Sequence, residues 1–187
     1  MPATPHPTTA PVGLDAIRDN VAMTGADELG AGGLNVWRNS LPAGTYPGAP
    51  VEVDGVPFTG SPHTGPDNVR CAGQTLPVEI GRWDWLWLLA TGERRVEDEI
   101  AMLFTDGAVD LEAVRVSDFW AAPAAFGETV AFRSEVMHYP HHVQSRLPGT
   151  IWCQRVPITR RADLVAIRLP DNLALHVFAA TLLRCDR

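Results

Sequence analysis

Short apolar segments, each bounded by turn-forming residues, follow one another along most of this chain, and that pattern constrains its fold more than any other feature. An amphipathic helix needs an apolar stripe sustained over about ten residues, whereas a strand is complete in about four to eight. The segments predict strands over residues 34–38, 51–53, 56–59, 68–72, 76–80, 83–90, 99–105, 109–116, 129–137, 151–156, 164–169 and 174–183. Two Asp-Gly pairs support the assignment. Asp54-Gly55 separates VEV from VPF, and Asp106-Gly107 separates AMLFT from AVDLEAV. Asp-Gly supplies the positive φ that a two-residue hairpin turn demands. Residues 83–104 also fit a helix broken at Thr91-Gly92, because Leu86, Leu89 and Ala90 share a helical stripe. Alternation of three tryptophans, followed by a turn-forming Thr-Gly, favours strands there. The expected fold is all-β, a two-sheet jelly-roll β-sandwich.

The chain has 187 residues, enough for one domain with a sizeable core. Residues 1–12 are rich in Pro and Thr and are expected to be disordered or extended. Residues 13–187 form the expected single domain, with a helical turn or two at 13–20, no internal repeat and no second boundary.

All 15 basic residues are arginine, so mechanisms built on a lysine amine are excluded, phosphate loops and Schiff-base chemistry among them. Proton transfer would fall to His, Asp, Glu, Tyr or Cys. A net charge of −7 argues against nucleic acid as a partner. No apolar run reaches the length of a membrane span, and the N-terminus carries no secretory signal. Cys71, Cys153 and Cys185 lack CxxC spacing and read as reduced thiols, which points to a cytoplasmic protein.

Several local patterns, in order along the chain, resemble a known family. GPDNVRCAGQ occupies residues 65–74, FTDG 104–107, VSDFW 116–120, AIRLPDN 166–172 and LHVFAATL 175–182. The series is similar to the galactose-binding-like β-sandwich modules that accompany bacterial glycosidases such as α-mannosidases and α-fucosidases. Phe104 stands where those modules have tyrosine, and the His-rich segment 138–142 is outside the pattern. The resemblance implies a β-sandwich and carbohydrate binding; it transfers no binding residue, because the shared motifs are hairpins and strand ends. It also marks His176 as a hydrogen-bonded structural histidine.

Two segments carry candidate chemistry. In Arg82-Trp83-Asp84-Trp85-Leu86-Trp87, a strand would place Trp83, Trp85 and Trp87 on one face and Leu86 on the other. Such an indole ladder stacks on sugars or flat ligands, fills a core, or forms a homodimer interface. Arg82 could fork onto a carboxylate or phosphate, and Trp120 and Tyr139 are further candidate ligand contacts. The second segment is His138-Tyr139-Pro140-His141-His142, whose imidazoles titrate near neutrality and could act as acid and base beside Asp118. Its alternative is an exposed polar loop. A metal reading would need His138 and His141 to converge at a turn around Pro140, but spacing indicates no paired carboxylate and no His-x-His, so no metal site and no cofactor is assigned. Asp67-Asn68 and Asp171-Asn172 read as turn formers. Together these features predict a stand-alone binder of a carbohydrate, glycoside or similar small metabolite. The competing reading is a biosynthetic enzyme, a cyclase, isomerase or lyase on the same scaffold, as in secondary metabolism.

Overall fold

The computed structural model describes residues 7–62, 64–120 and 123–185. The chain runs through β1 (Thr8–Val12), β2 (Met23–Thr24), β3 (Leu41–Pro42), β4 (Val51–Val53), β5 (Val56–Phe58), β6 (Val69–Arg70), β7 (Thr75–Gly81) and β8 (Trp85–Gly92). It continues through β9 (Val96–Phe104), β10 (Val109–Val116), β11 (Thr129–Arg133), β12 (Val136–Tyr139), β13 (His142–Ser145), β14 (Thr150–Pro157), β15 (Leu164–Arg168) and β16 (Leu175–Arg184). Two 3-10 turns, Asp15–Ile17 and Leu29–Ala31, are the only helical residues among those described.

Strands β1-β16-β8-β14-β11 form one antiparallel sheet, with β6 beside β16, and β10-β9-β15-β7 form a second. Alternate side chains fill the space between them. Leu86, Leu88 and Ala90 of β8, Trp152 and Val156 of β14, and Val177, Ala180 and Leu182 of β16 join one buried cluster with Ile100, Met102, Val114, Leu164 and Ile167 of the second sheet. The protein is therefore an all-β sandwich. Its chain crosses between the two sheets at β6–β7, β7–β8, β8–β9, β10–β11, β14–β15 and β15–β16, crossings compatible with a jelly roll.

The first sheet is covered on its other face as well. The first nine residues of β16, LHVFAATLL, are all buried, and adjacent residues on a strand face opposite ways. Leu89, Ile151, Cys153, Phe178, Ala179 and Leu183 turn outward from the sandwich into a second apolar cluster with Leu34, Leu41, Tyr46, Val56, Phe58, Phe119 and Met137. Most of that cover is irregular chain between β1 and β6, with the β4–β5 and β12–β13 hairpins at its margins. Polar ties hold it down. The Asp67 carboxylate accepts from the amides of Ala22 at 2.9 Å and Met23 at 2.8 Å. Thr181 Oγ1 donates to the Pro57 carbonyl at 2.7 Å, and Ser40 and His138 exchange both backbone hydrogen bonds.

Several expected elements differ, each for a local reason. Residues 34–38 form a tight turn, because the Asn35 side-chain oxygen accepts from the amides of Trp37 and Asn39, both at 3.1 Å, and Arg38 takes φ 58°. The expected strand at 129–137 is two: β11 ends at Arg133, and the Ser134 hydroxyl, tied to Gly149 and Val136, turns the chain into the β12–β13 hairpin. Asp54-Gly55 does make the two-residue turn, with φ of 52° and 75°. Asp106-Gly107 lies instead in a longer loop. There only Gly107 has positive φ, and the Phe104 amide donates to Ala108 at 3.0 Å. The helix alternative over 83–104 is not formed.

Residues 1–6 lie outside the described residues, but Thr8–Val12, before the expected start of the domain at residue 13, pairs along β16 and buries Ala10 and Val12 in the sandwich core. Deleting residues 1–13 uncovers one edge of β16 and is expected to cost about 2 kcal/mol or more of unfolding free energy. Urea titration of the shortened and intact chains measures this; equal midpoints would show that β1 contributes nothing.

Candidate functional site

The tryptophan ladder is broken at its first rung. β8 begins only at Trp85, because residues 82–84 carry the chain from one sheet to the other and interrupt the alternation. Trp83 is buried in the sandwich core, where its Nε1 donates to the Glu79 carbonyl at 3.0 Å. Trp85 and Trp87 do share the outward face, half-buried against the second cluster. The Arg155 guanidinium, on the strand beside them, sits 4.8 Å from the Trp85 ring centre and 5.7 Å from that of Trp87. A cation over the ring is a favourable partner for it. The three indoles thus present no common stacking surface, and Arg82 stands exposed beside Trp83 rather than beside the other two.

The histidine segment forms the β12–β13 hairpin, with its turn at Pro140-His141. His138 is buried: its Nδ1 lies 2.8 Å from Thr24 Oγ1, which is 2.7 Å from Ser40 Oγ. Tyr139 stacks on exposed His142 with ring centres 5.0 Å apart, and His141 is exposed at the tip. Asp118 is elsewhere, paired with Gly92 at the end of β8; its Oδ1 accepts from the Trp120 amide at 2.8 Å. Desolvation raises its carboxyl above the ordinary carboxylate value, partly offset by that amide. No hydrogen bond or ion pair joins Asp118 to the three histidines among the described residues. Trp120 packs edge-on against Phe119 at 4.7 Å, in the second cluster, and its Nε1 is buried without a hydrogen-bond partner among the described residues.

The cysteines are all free; burial pushes the thiols of Cys71 and Cys153 up to about 12, and Cys185 is exposed. Among the described residues no three His, Cys, Asp or Glu side chains converge as a metal site would require. No helix there is long and apolar enough to cross a membrane.

What the structure does bring together is a cleft of about 450 Å³ in the irregular cover. Val21, Met23, Ala43, Tyr46, Pro62 and Asp67 are among its lining, with Gly25, Gly44, Gly48 and Gly65 admitting a ligand close to the backbone. Asp67 is 3% exposed, and its carboxylate also accepts from Asn68 Nδ2 at 2.8 Å. Burial raises its pKa, while these donors and the buried Arg18 oppose the shift. Arg18 donates to the carbonyls of Asp67 at 2.6 Å and Phe178 at 3.0 Å, joining the cover to β16. The Tyr46 hydroxyl donates to the Thr59 carbonyl and, buried, is pushed up to about 12.

Sequence reasoning read Asp67 as a turn former. The aspartate tied to residues 22 and 23 is forty-odd positions away in the chain, and nothing local signals the contact. The missed signal was the near-continuous apolar sequence of β16, interrupted only by His176 and Thr181 before Arg184, which implies a sheet buried on both faces and hence a cover in which a cleft can form. His176 is the structural residue the resemblance implied, with its Nδ1 2.9 Å from Asn68 Oδ1.

His138 offers a test of how firmly the cover seals. Burial holds its imidazole below the ordinary value of 6.5, outweighing the opposing hydrogen bond with Thr24. Above pH 6.5 both folded and unfolded chains are neutral at this residue, and its contribution is fully present. As the pH falls below that value the unfolded chain takes a proton the folded chain refuses, so stability is lost. Relative to His138→Asn, the wild type should therefore lose unfolding free energy on acidification, measured by urea titration at successive pH values; parallel curves would mean the imidazole is freely hydrated.

No curated protein matches the chain. A family model does, that of the AziU2-like beta-sandwich domain, over residues 8–186. The match runs from β1 through β16 and so includes both sheets and the whole cover. The chain belongs to the AziU2-like β-sandwich domain family.

Proposed function

We propose that this protein binds a small polyol or amine, a carbohydrate or glycoside foremost, in the cleft above Asp67 rather than on a tryptophan face. The observation that carries the reading is the acceptor character of the lining. Among the described residues of its lining the only charged ones are Glu28 and Asp67, with Ser61 and Thr64 supplying hydroxyls. A ligand rich in O–H or N–H donors suits such a wall, and an anion does not. Among the described residues three N–H donors occupy the Asp67 carboxylate, which has about four acceptor positions. The volume of about 450 Å³ falls in the range of small-ligand sites. Val21, Met23 and Pro62 supply apolar surface for the C–H face of a sugar ring. The resemblance of the motif series to galactose-binding-like modules supports the same ligand class.

Calorimetric titration of the full chain with mono- and disaccharides, glycosides and amino sugars tests this. At least one should bind saturably. Ala43→Trp, an exposed lining position, should weaken that binding about tenfold or more without lowering the melting temperature. Silence across the panel, or affinity untouched by the tryptophan, would remove the cleft as the site.

A further inference from the structure

Asp84 ties three chain segments at one end of the sandwich. Its amide donates to the Leu183 carbonyl at 2.9 Å, and its carbonyl accepts from the Ile158 amide at 2.9 Å. Its Oδ2 accepts from the Cys185 amide at 2.8 Å. The knot draws Arg82 from the β7–β8 connection, Arg160 and Arg161 from the β14–β15 loop, and Arg184 from the end of β16 around one cleft of about 440 Å³. Trp83, 4% exposed, lies in its wall, and the Arg184 guanidinium is 6.0 Å from that ring centre.

The four guanidiniums are not equivalent. Arg160 forks onto Asp110 at 3.0 and 2.6 Å and also lies 3.8 Å from Asp106, so its charge is spent within the protein. Arg82 and Asp163 are a loose exposed pair at 3.8 Å. Arg184 donates to the Thr8 hydroxyl at 3.2 Å. Among the described residues neither Arg161 nor Arg184 has a carboxylate partner within ion-pair distance. The Asp84 carboxylate, also in the lining, is engaged by the Cys185 amide.

We propose that this cleft binds the tetrahedral oxyanion of a phosphorylated or sulfated small molecule, held by Arg161 and Arg184 with Arg82 closing on it from Asp163. A planar carboxylate is satisfied by a single guanidinium fork, whereas a tetrahedral oxyanion offers separate oxygen pairs to forks arriving from different directions. Here the forks come from three chain segments. The net charge of −7 argues against nucleic acid as the source of the phosphate, since such binding needs a broad basic footprint. Arg184 is pre-oriented by the indole beneath it and the Thr8 hydroxyl beside it, so less side-chain freedom is lost on binding.

Titrating the full chain with inorganic phosphate, inorganic sulfate and acetate, followed through the arginine Nε–Hε signals by nuclear magnetic resonance, tests the assignment. Phosphate and sulfate should shift the Arg161 and Arg184 signals saturably, and acetate should bind about tenfold more weakly. The double variant Arg161→Ala/Arg184→Ala should lose about tenfold or more in phosphate affinity, while Arg133→Ala, on β11 and outside the cleft lining, should lose none. All three positions are exposed, and a melting curve checks that each variant folds. Ala43→Trp should leave anion binding intact, which separates this site from the cleft above Asp67. Undiminished phosphate binding in the double variant, equal affinity for acetate, or shifts spread evenly over the surface arginines would overturn the proposal.

Discussion

A strand buried on both faces dictates the rest of this structure. β16 has neighbours on either side in its sheet, and its side chains up to Leu183 leave the sheet in both directions without reaching water. One direction is served by the opposing sheet of the sandwich. The other needs a second cover, and the residues that supply it, between β1 and β6, have little regular structure of their own. A sheet can cover another sheet by repeating one pattern, but irregular chain must have each backbone polar group satisfied individually. That requirement explains why many of the buried polar residues lie in and under the cover, among them Asn20, Thr24, Asn35, Asn39, Ser40, Asp67, Asn68 and His176.

Those residues act as a frame. Asn68 stands at its centre: its Nδ2 donates to Asp67 Oδ1 at 2.8 Å and to the Asn20 carbonyl at 3.1 Å, while its Oδ1 accepts from Asn20 Nδ2 at 3.2 Å. The same Oδ1 lies 2.9 Å from His176 Nδ1, which is also 3.3 Å from Asn20 Nδ2. His176 Nε2 is buried without a hydrogen bond among the described residues, 3.8 Å from Glu93. Each such bond contributes about 1 kcal/mol net, yet an abandoned buried partner costs about 1–3 kcal/mol, so the frame resists piecemeal loss more than its sum suggests. It also fixes register: Asp67 can hold the amides of Ala22 and Met23 only when the cover lies in one position over β16.

The sandwich was readable because its information is local. Alternating apolar residues and turn signals located β4, β5, β7, β9, β10, β14, β15 and β16 to within a few residues, and Asp54-Gly55 formed the turn its chemistry demands. The cover was not readable, because its information is long-range. Nothing in residues 20–46 announces that they lie on a sheet whose last strand is more than a hundred positions later. Asn35 looked like part of a strand because its capture of two downstream amides leaves no trace in an apolar pattern. The ladder failed for a related reason. Alternation places Trp83, Trp85 and Trp87 together only if all three lie on one strand, and the crossing between sheets at residues 82–84 cannot be located from the alternation itself.

The two clefts follow from the same division of labour between regular and irregular chain. Paired strands pack without gaps, so recesses arise where the chain leaves the ladders, in the cover and at the strand ends gathered by Asp84. Their chemistry is opposite. The cover recess is lined by acceptors and small residues, and the strand-end recess by guanidiniums that no lysine could replace without losing the planar fork. In a chain of net charge −7 the arginines that converge cannot draw anions by a general field, so any selectivity there has to come from geometry. That geometry is supplied by Asp84, whose three hydrogen bonds hold the strand ends on which Arg82, Arg161 and Arg184 sit. The acidic residue in the wall of a basic recess is thus the one that organises it, and its own charge is turned toward the Cys185 amide.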